Sequence, residues 1–200
     1  MKVVGLTGGI SCGKSTISRI LKSLGANIID ADKIAHDLAQ IGEPLYTAYL
    51  EHFGDDILLE NKKLNRRAIA IRIYNEPAER EWVNNTAHPL IQKRVEEEIS
   101  RYGEMGEKSV VLDAPLLFEI GWEKYADVIW VAYVPREMQI KRLKKRDRLG
   151  RANAEKRLNA QMPIEEKRKL ADVVISNEGT LEDLQKEVSR VWSEFCQSLE

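Results

Sequence analysis

The sequence predicts an α/β fold, a doubly wound five-stranded parallel sheet between layers of helices. Three observations predict it. Five short apolar runs, at 3–6, 27–30, 109–113, 127–134 and 172–176, are separated by stretches with helical spacing. The run Val128-Ile129-Trp130-Val131-Ala132-Tyr133-Val134 is apolar on both faces, as in strands covered by helices on either side. The first run enters a Gly-rich turn and then a helical pattern, the strand–turn–helix order of a βαβ unit.

Composition bounds the possibilities. With 43% apolar and 32% charged residues, the chain is neither disordered nor membrane-embedded. Its 200 residues suffice for one α/β domain carrying a helical insertion. A net charge of −1 gives no global attraction to nucleic acid or to a membrane surface. Cys12 and Cys196 form neither a disulfide framework nor a metal-ligand spacing, which fits a reducing compartment. No stretch reaches the roughly 18 apolar residues of a membrane span. A cytoplasmic location is expected.

In chain order, the first strand, Val3-Val4-Gly5-Leu6, leads to a helix with Ile17, Ile20, Leu21 and Leu24 on one face. Gly25 stops that helix, and Asn27–Asp30 forms the second strand. A helix from Asp30 to Leu38 begins with acidic residues, and Pro44 opens another through Tyr49 and Phe53. Leu64-Asn65-Arg66-Arg67 starts a further helix through Ile73. A long pattern then runs from Pro77 to about Tyr102, and Pro89 within it should kink or divide the helix. The segment 31–102 is therefore expected to hold helices only. Ser109–Asp113 and Asp127–Val134 are the third and fourth strands. Helices follow from Pro135 to about Arg148, from Gly150 to Met162, and from Pro163. Asp172–Ser176 is the fifth strand. The last helix, 180–198, places Leu181, Leu184, Val188, Val191, Trp192 and Phe195 on one face.

The turn after the first strand reads Gly8-Gly9-Ile10-Ser11-Cys12-Gly13-Lys14-Ser15-Thr16, a G-x-x-x-x-G-K-S pattern. Several backbone N–H groups must converge on phosphate oxygens there, and glycines permit the close approach. The helix that follows points its N-terminus at the same anion. The pattern predicts a nucleoside triphosphate, ATP, cradled by Gly9, Ser11, Cys12, Gly13, Lys14, Ser15 and Thr16. Lys14 reaches the β- and γ-phosphates, and the Ser15 hydroxyl holds Mg²⁺. Cys12 also lies beside a helix N-terminus and Lys14, a setting that would lower its thiol pKa; a small residue filling the loop is the plainer account.

Parallel sheets place working groups at the C-terminal ends of their strands. Asp30 and Asp32 follow the second strand. Asp30 serves equally as an N-cap, and Asp32 is the candidate general base for an acceptor hydroxyl. Asp113 ends the third strand, in a position to hold Mg²⁺ directly or through water. Between 136 and 169 stand thirteen Lys/Arg against five Asp/Glu. Arg142 and Arg146 are four apart on one helical face. An arginine in cis is worth ~10³–10⁵ in phosphoryl-transfer rate, and a helical lid would deliver it while excluding water. Arg142 is the expected phosphate contact, with Arg146 either on phosphate or stacked on adenine. Asn177, after the fifth strand, is either a base contact or part of a turn.

Several stretches together resemble the dephospho-CoA kinase family. They are Gly5-Leu6-Thr7-Gly8-Gly9-Ile10 with Gly13-Lys14-Ser15-Thr16, Ile29-Asp30-Ala31-Asp32-Lys33-Ile34-Ala35-His36, His88-Pro89, and Asp113-Ala114-Pro115-Leu116-Leu117-Phe118-Glu119. Gln139-Ile140-Lys141-Arg142-Leu143 through Arg146-Asp147 and Ala171–Asn177 continue the same order along nearly the whole chain. One departure stands out: Ser11 and Cys12 occupy positions where the family loop usually has Gly and Ser.

The resemblance implies a P-loop three-layer sandwich that transfers the ATP γ-phosphate to the ribose 3′-hydroxyl of dephospho-CoA. Asp32 would be the base, Lys14 and Arg142 would stabilise the moving phosphoryl group, and Ser15 would hold Mg²⁺. It divides the chain into a core (1–30, 108–135, 170–200), a helical CoA-binding region (31–107) and a lid (136–169). Within it His88-Pro89 shapes the acceptor pocket or His88 is simply a core histidine. Monomer and homotrimer fit the sequence alike. The competing readings are another nucleoside or nucleotide kinase and, from a different class, a nucleotide-dependent switch, which should lack an acceptor base.

Overall fold

A computed structural model describes residues 1–199; Glu200, the last residue of the expected core segment, lies outside the described residues. The chain divides into two units, one of residues 1–29 and 102–200, the other of residues 30–101.

The first unit is built on the sheet. Its strands are β1 (Lys2–Gly8), β2 (Ile28–Asp30), β3 (Ser109–Asp113), β4 (Val128–Tyr133) and β5 (Val173–Ser176), in the order β2-β3-β1-β4-β5. β1 is parallel to both β3 and β4, and β4 to β5. The chain thus leaves β1 toward one side of the sheet and later fills the other. The end of β1 lies at the topological switch, where open α/β sheets bind ligands. The central strands are buried on both faces, which is why each reads as a continuous apolar run.

Helix α1 (Lys14–Ser23) and helix α9 (Leu181–Gln197) cover the sheet. From α1 come Ile17, Ile20 and Leu21; from α9 come Leu184, Val188, Val191 and Trp192. Trp130 of β4 meets Trp192 and Phe195 edge-on, at centroid separations of 6.2 and 5.6 Å, the geometry that aromatic quadrupoles prefer. Leu181, expected on this face, is 60% exposed instead. It is the first residue after the N-cap Thr180, whose capping box with Asp183 fixes the helix start, and the buried stripe begins one turn later.

Three helices lie between β4 and β5: α6 (Arg136–Asp147), α7 (Arg151–Leu158) and α8 (Ile164–Lys169). Ile140 and Leu143 of α6 meet Ala154 and Leu158 of α7 in a second small core, joined by Ile10 from the turn after β1. From α8, Ile164 belongs instead to the main core with Val131, Ile175 and Leu184. Lys167 of α8 is fully buried, with its ammonium on the Glu119 carboxylate (2.8 Å) and on the Pro115 carbonyl (2.8 Å). Burial pushes its pKa down, and the Glu119 carboxylate opposes that shift.

The second unit contains α2 (Ala31–Leu38), α3 (Pro44–Phe53), α4 (Arg66–Asn75) and most of α5 (Pro77–Glu104). It is not helical throughout, since a 3₁₀ turn at Asp55–Ile57 and an antiparallel bridge between Leu58 and Leu64 connect α3 to α4. Nor does Pro89 divide the long helix, which runs 28 residues through it. An internal proline costs about 3 kcal/mol, mostly one lost hydrogen bond and one steric clash. Against that cost α5 buries Val83, Ala87, Ile91 and Val95, a stripe at four-residue spacing that continues on both sides of the proline. His52 of α3 stacks on Trp82 of α5 (3.7 Å between ring centres, 6° between planes), and its Nε2 lies 2.6 Å from the Glu79 carboxylate.

The Lys167–Glu119 pair gives a direct test of the first unit. Removing one partner of a buried pair strands the other charge and costs about 3–5 kcal/mol, whereas replacing both partners by apolar side chains of similar shape costs far less. Urea denaturation should therefore show Glu119→Ala losing several times more stability than the double variant Glu119→Leu, Lys167→Met.

Candidate active site

Local sequence fixes the phosphate loop. β1 ends at Gly8, and α1 begins at Lys14 after Gly13, whose φ of +90° is left-handed. A Cβ at Gly13 would also collide with the Asn177 amide, and one at Gly9 with the Gln139 amide. Gly13 is thus required by its backbone angle, while a side chain at Gly9 would push the Gln139 amide aside. Ser11 too is left-handed, at φ +62°, in the position where the sequence departs from Gly. Its hydroxyl is buried and has no hydrogen-bond partner among the described residues. Non-Gly residues pay about 1–2 kcal/mol in this region. Within the loop the Cys12 N–H donates to the Gly9 carbonyl (3.1 Å), and the Thr16 and Ile17 N–H groups donate to the Gly13 carbonyl. The N–H groups of Lys14 and Ser15 open the helix, and such groups have no intrahelical acceptor. A helix end of this kind favours an anion.

Cys12 is fully buried. Burial pushes its thiol pKa up, outweighing the hydrogen bond that Gln139 Nε2 donates to Sγ at 2.8 Å. The expectation of a lowered thiol pKa is therefore corrected: desolvation of the thiolate exceeds the help of the hydrogen bonds and of Arg142. Cys12 fills space in the loop.

The Lys14 ammonium pairs with the carboxylate of Asp113, the last residue of β3. Asp113 is only 3% exposed and sits opposite Leu6 of β1 in the strand register. A carboxylate and the Ser15 hydroxyl are hard oxygen donors, the type Mg²⁺ prefers when substrate phosphates and water complete its shell. Among the described residues no cluster of three or more His, Cys, Asp or Glu could hold a metal unaided. The donor set thus fits a cation that arrives with nucleotide.

The residues after the other strands are also placed. Asp30 ends β2 and caps α2, its carboxylate accepting the Lys33 N–H at 2.9 Å. Asp32 stands exposed in the first turn of α2. Arg142, on α6 between the buried Ile140 and Leu143, donates from Nη2 to the Asn177 carbonyl at 2.7 Å. Arg146 is engaged with its neighbour Asp147, which also pairs with Arg157. Asn177 Nδ2 donates to the Cys12 carbonyl at 2.9 Å, so its side chain holds the phosphate loop. His88 of α5 is half-buried, and desolvation pushes its pKa down.

Two features were not read from the sequence. The first is a set of glutamines around the loop. Gln139 is buried against Cys12, and Gln161 Oε1 accepts the Ile10 N–H at 3.1 Å. The second lies within residues 30–101, where a cavity of about 440 Å³ opens among α2, α3, α4 and α5. Its wall is largely apolar, with Leu45, Tyr49, Ile69 and Ile91, while Asp32, His36 and Arg66 supply polar groups. Few polar groups converging on an apolar wall are what a small-molecule pocket needs.

These features meet a consistent set of relatives. The family model described as Dephospho-CoA kinase matches residues 2–183. A dephospho-CoA kinase of Carboxydothermus hydrogenoformans is 43% identical over 188 residues, covering 94% of this chain and 91% of the relative. The crystal structure of a Thermus thermophilus protein superimposes with a TM-score of 0.78 at 33% identity, covering 96% of this chain and 97% of that one. A dephospho-CoA kinase from Campylobacter jejuni gives a TM-score of 0.76 at 31% identity over the full length of both chains. The five-stranded sheet, the G-x-x-x-x-G-K-S loop between β1 and α1, and these full-length matches agree. The chain belongs to the dephospho-CoA kinase family.

Proposed function

We propose that this protein transfers the ATP γ-phosphate to the ribose 3′-hydroxyl of dephospho-CoA, giving CoA and ADP, in the cytosol. The observation that carries the proposal is the pairing of Lys14 with Asp113 at the mouth of a phosphate loop. One cation for phosphate, at the start of α1, and one carboxylate for a metal, at the end of β3, lie together.

In this reading the loop amides and the N-terminus of α1 bind the β- and γ-phosphates, and Lys14 moves from Asp113 to the phosphate oxygens. Ser15 and Asp113 would hold Mg²⁺, which when bound neutralises charge on those oxygens. Arg142 places a second cation on the transferring group, while Arg146 holds the outer phosphate or the adenine. Asp32 orients the acceptor hydroxyl and takes its proton; an exposed carboxylate with access to substrate suits that role. The cavity lined by Tyr49, Ile69 and Arg66 receives part of the acceptor, its apolar wall matching the uncharged portion and Arg66 an anionic group. Of the expected lid, 136–169, the helices α6 and α7 act as the moving part, while α8 is held in the main core through Ile164. The tie of Asn177 to Cys12 supports a scaffold role for that residue beside any contact with the base.

Three measurements test this. With Mg-ATP, ADP release should depend on dephospho-CoA and not on adenosine, AMP or CMP, and the product should carry its new phosphate at the ribose 3′ position. Release driven by a simple nucleotide would instead make the chain a different kinase. Asp32→Asn should bind ATP nearly normally and lose ~10²–10⁴ in turnover. Wild-type turnover would remove Asp32 as the base. Arg142→Ala should lower kcat by about 10³ with a smaller effect on ATP binding; the reverse pattern would make Arg142 an anchor for the nucleotide only.

A further inference from the structure

The phosphate loop does not stand alone. Ile10 is bound twice to the helical pair that carries Arg142. Its side chain completes the small core of Ile140, Leu143, Ala154 and Leu158, and its N–H donates to Gln161 Oε1 just beyond α7. The segment holding Gln161 is itself fixed to the β3 side of the sheet. The Met162 N–H and the Lys167 ammonium both reach the Glu119 carboxylate, at 3.0 and 2.8 Å. On the other side of the left-handed Ser11, Cys12 is held at Sγ by Gln139 and at its carbonyl by Asn177, whose own carbonyl accepts from Arg142. A strained residue thus sits between two clamped neighbours. Both clamps lead back to the elements around Arg142.

We propose that Gln161 is a positioning residue for phosphoryl transfer. By accepting the Ile10 N–H it ties the phosphate loop to α6 and α7, so that the bound phosphates and the Arg142 guanidinium keep one mutual geometry. Gln161 touches no reacting atom. The proposal rests on the reading of Arg142 as the cation on the transferring group. The choice of a neutral amide follows from the loop's task. A carboxylate would accept the same N–H but would place a negative charge beside a site built for phosphates. An apolar side chain would leave the amide without its acceptor.

Two variants separate these effects. Gln161→Met keeps the length and removes the acceptor, whereas Gln161→Glu keeps the acceptor and adds charge. Steady-state kinetics with Mg-ATP and dephospho-CoA, thermal melting, and hydrogen exchange at the Ile10 amide are measured for each. Gln161→Met should expose Ile10 to exchange about tenfold faster and lower kcat roughly five- to twentyfold with little change in Tm. Gln161→Glu should keep Ile10 protected and kcat within about twofold of wild type, while KM for ATP rises several-fold. In an Arg142→Ala background the kcat penalty of Gln161→Met should disappear, because the two act on one geometry. Wild-type kcat in Gln161→Met, additive losses with Arg142→Ala, or equal losses in both variants that follow a fall in Tm would each overturn the proposal. The Arg142 reading fails separately, if Arg142→Ala alone leaves kcat unchanged; Ile10 exchange still reports whether the tie exists.

Discussion

Everything in this chain depends on holding a short turn in a conformation it would not keep by itself. An anion-binding loop must turn several N–H groups inward at once, which leaves them without ordinary backbone partners and forces left-handed geometry at some positions. Here Ser11 and Gly13 are left-handed, and the hydrogen bonds within the loop are few. The surrounding structure supplies the remainder. β1 feeds the loop from the centre of the sheet, α1 carries it away, and the side-chain amides of Gln139, Gln161 and Asn177 hold it from outside. The sheet order serves the same end by placing the loop at the switch point, with the end of β3 alongside.

Charge is distributed on the same plan. Lys14 and Asp113 neutralise each other at the mouth of the loop. Part of the charge in the strongly basic segment 136–169 is paired within it: Arg146 and Arg157 share Asp147, and Arg151 bridges Glu137 and Glu155. Exposed pairs of this kind add little stability, so their role is to limit where free positive charge remains. Arg142 differs from them, because its bond is to a main-chain carbonyl and not to a carboxylate. A carbonyl releases a guanidinium to a phosphate far more readily than a carboxylate would.

Much of this was legible in the sequence because the signals are local and periodic. Buried parallel strands are unbroken apolar runs, so all five appeared within a residue or two of their observed ends. The loop is a fixed spacing of glycines followed by Lys-Ser, and Asp30, Asp32 and Asp113 announce themselves by standing at or just past strand ends. What stayed hidden was decided by distant contacts. Nothing near Gln139 or Gln161 marks one as the partner of a thiol and the other as the acceptor of an amide 151 residues away. The thiol of Cys12 looked activated by its neighbours in sequence, but burial by the whole fold sets its pKa in the opposite direction. Pro89 carries a strong local breaking signal, yet the stripe of Val83, Ala87, Ile91 and Val95 carries the helix through it. The cavity among α2, α3, α4 and α5 required the packing of four helices and has no linear signature.

The clamped loop also bears on how such a motif can change over time. If the loop's shape came from its own residues, every position with unusual dihedral angles would have to remain glycine. In this chain the shape is stored in its surroundings, in amides more than a hundred residues downstream. A serine can therefore occupy a left-handed position and a buried cysteine can replace a hydroxyl residue while the turn keeps its form. Positions 11 and 12 can thus differ from glycine and a hydroxyl residue, while Gly13 has no room for a side chain. In this chain the phosphate site is the motif together with the amides that brace it.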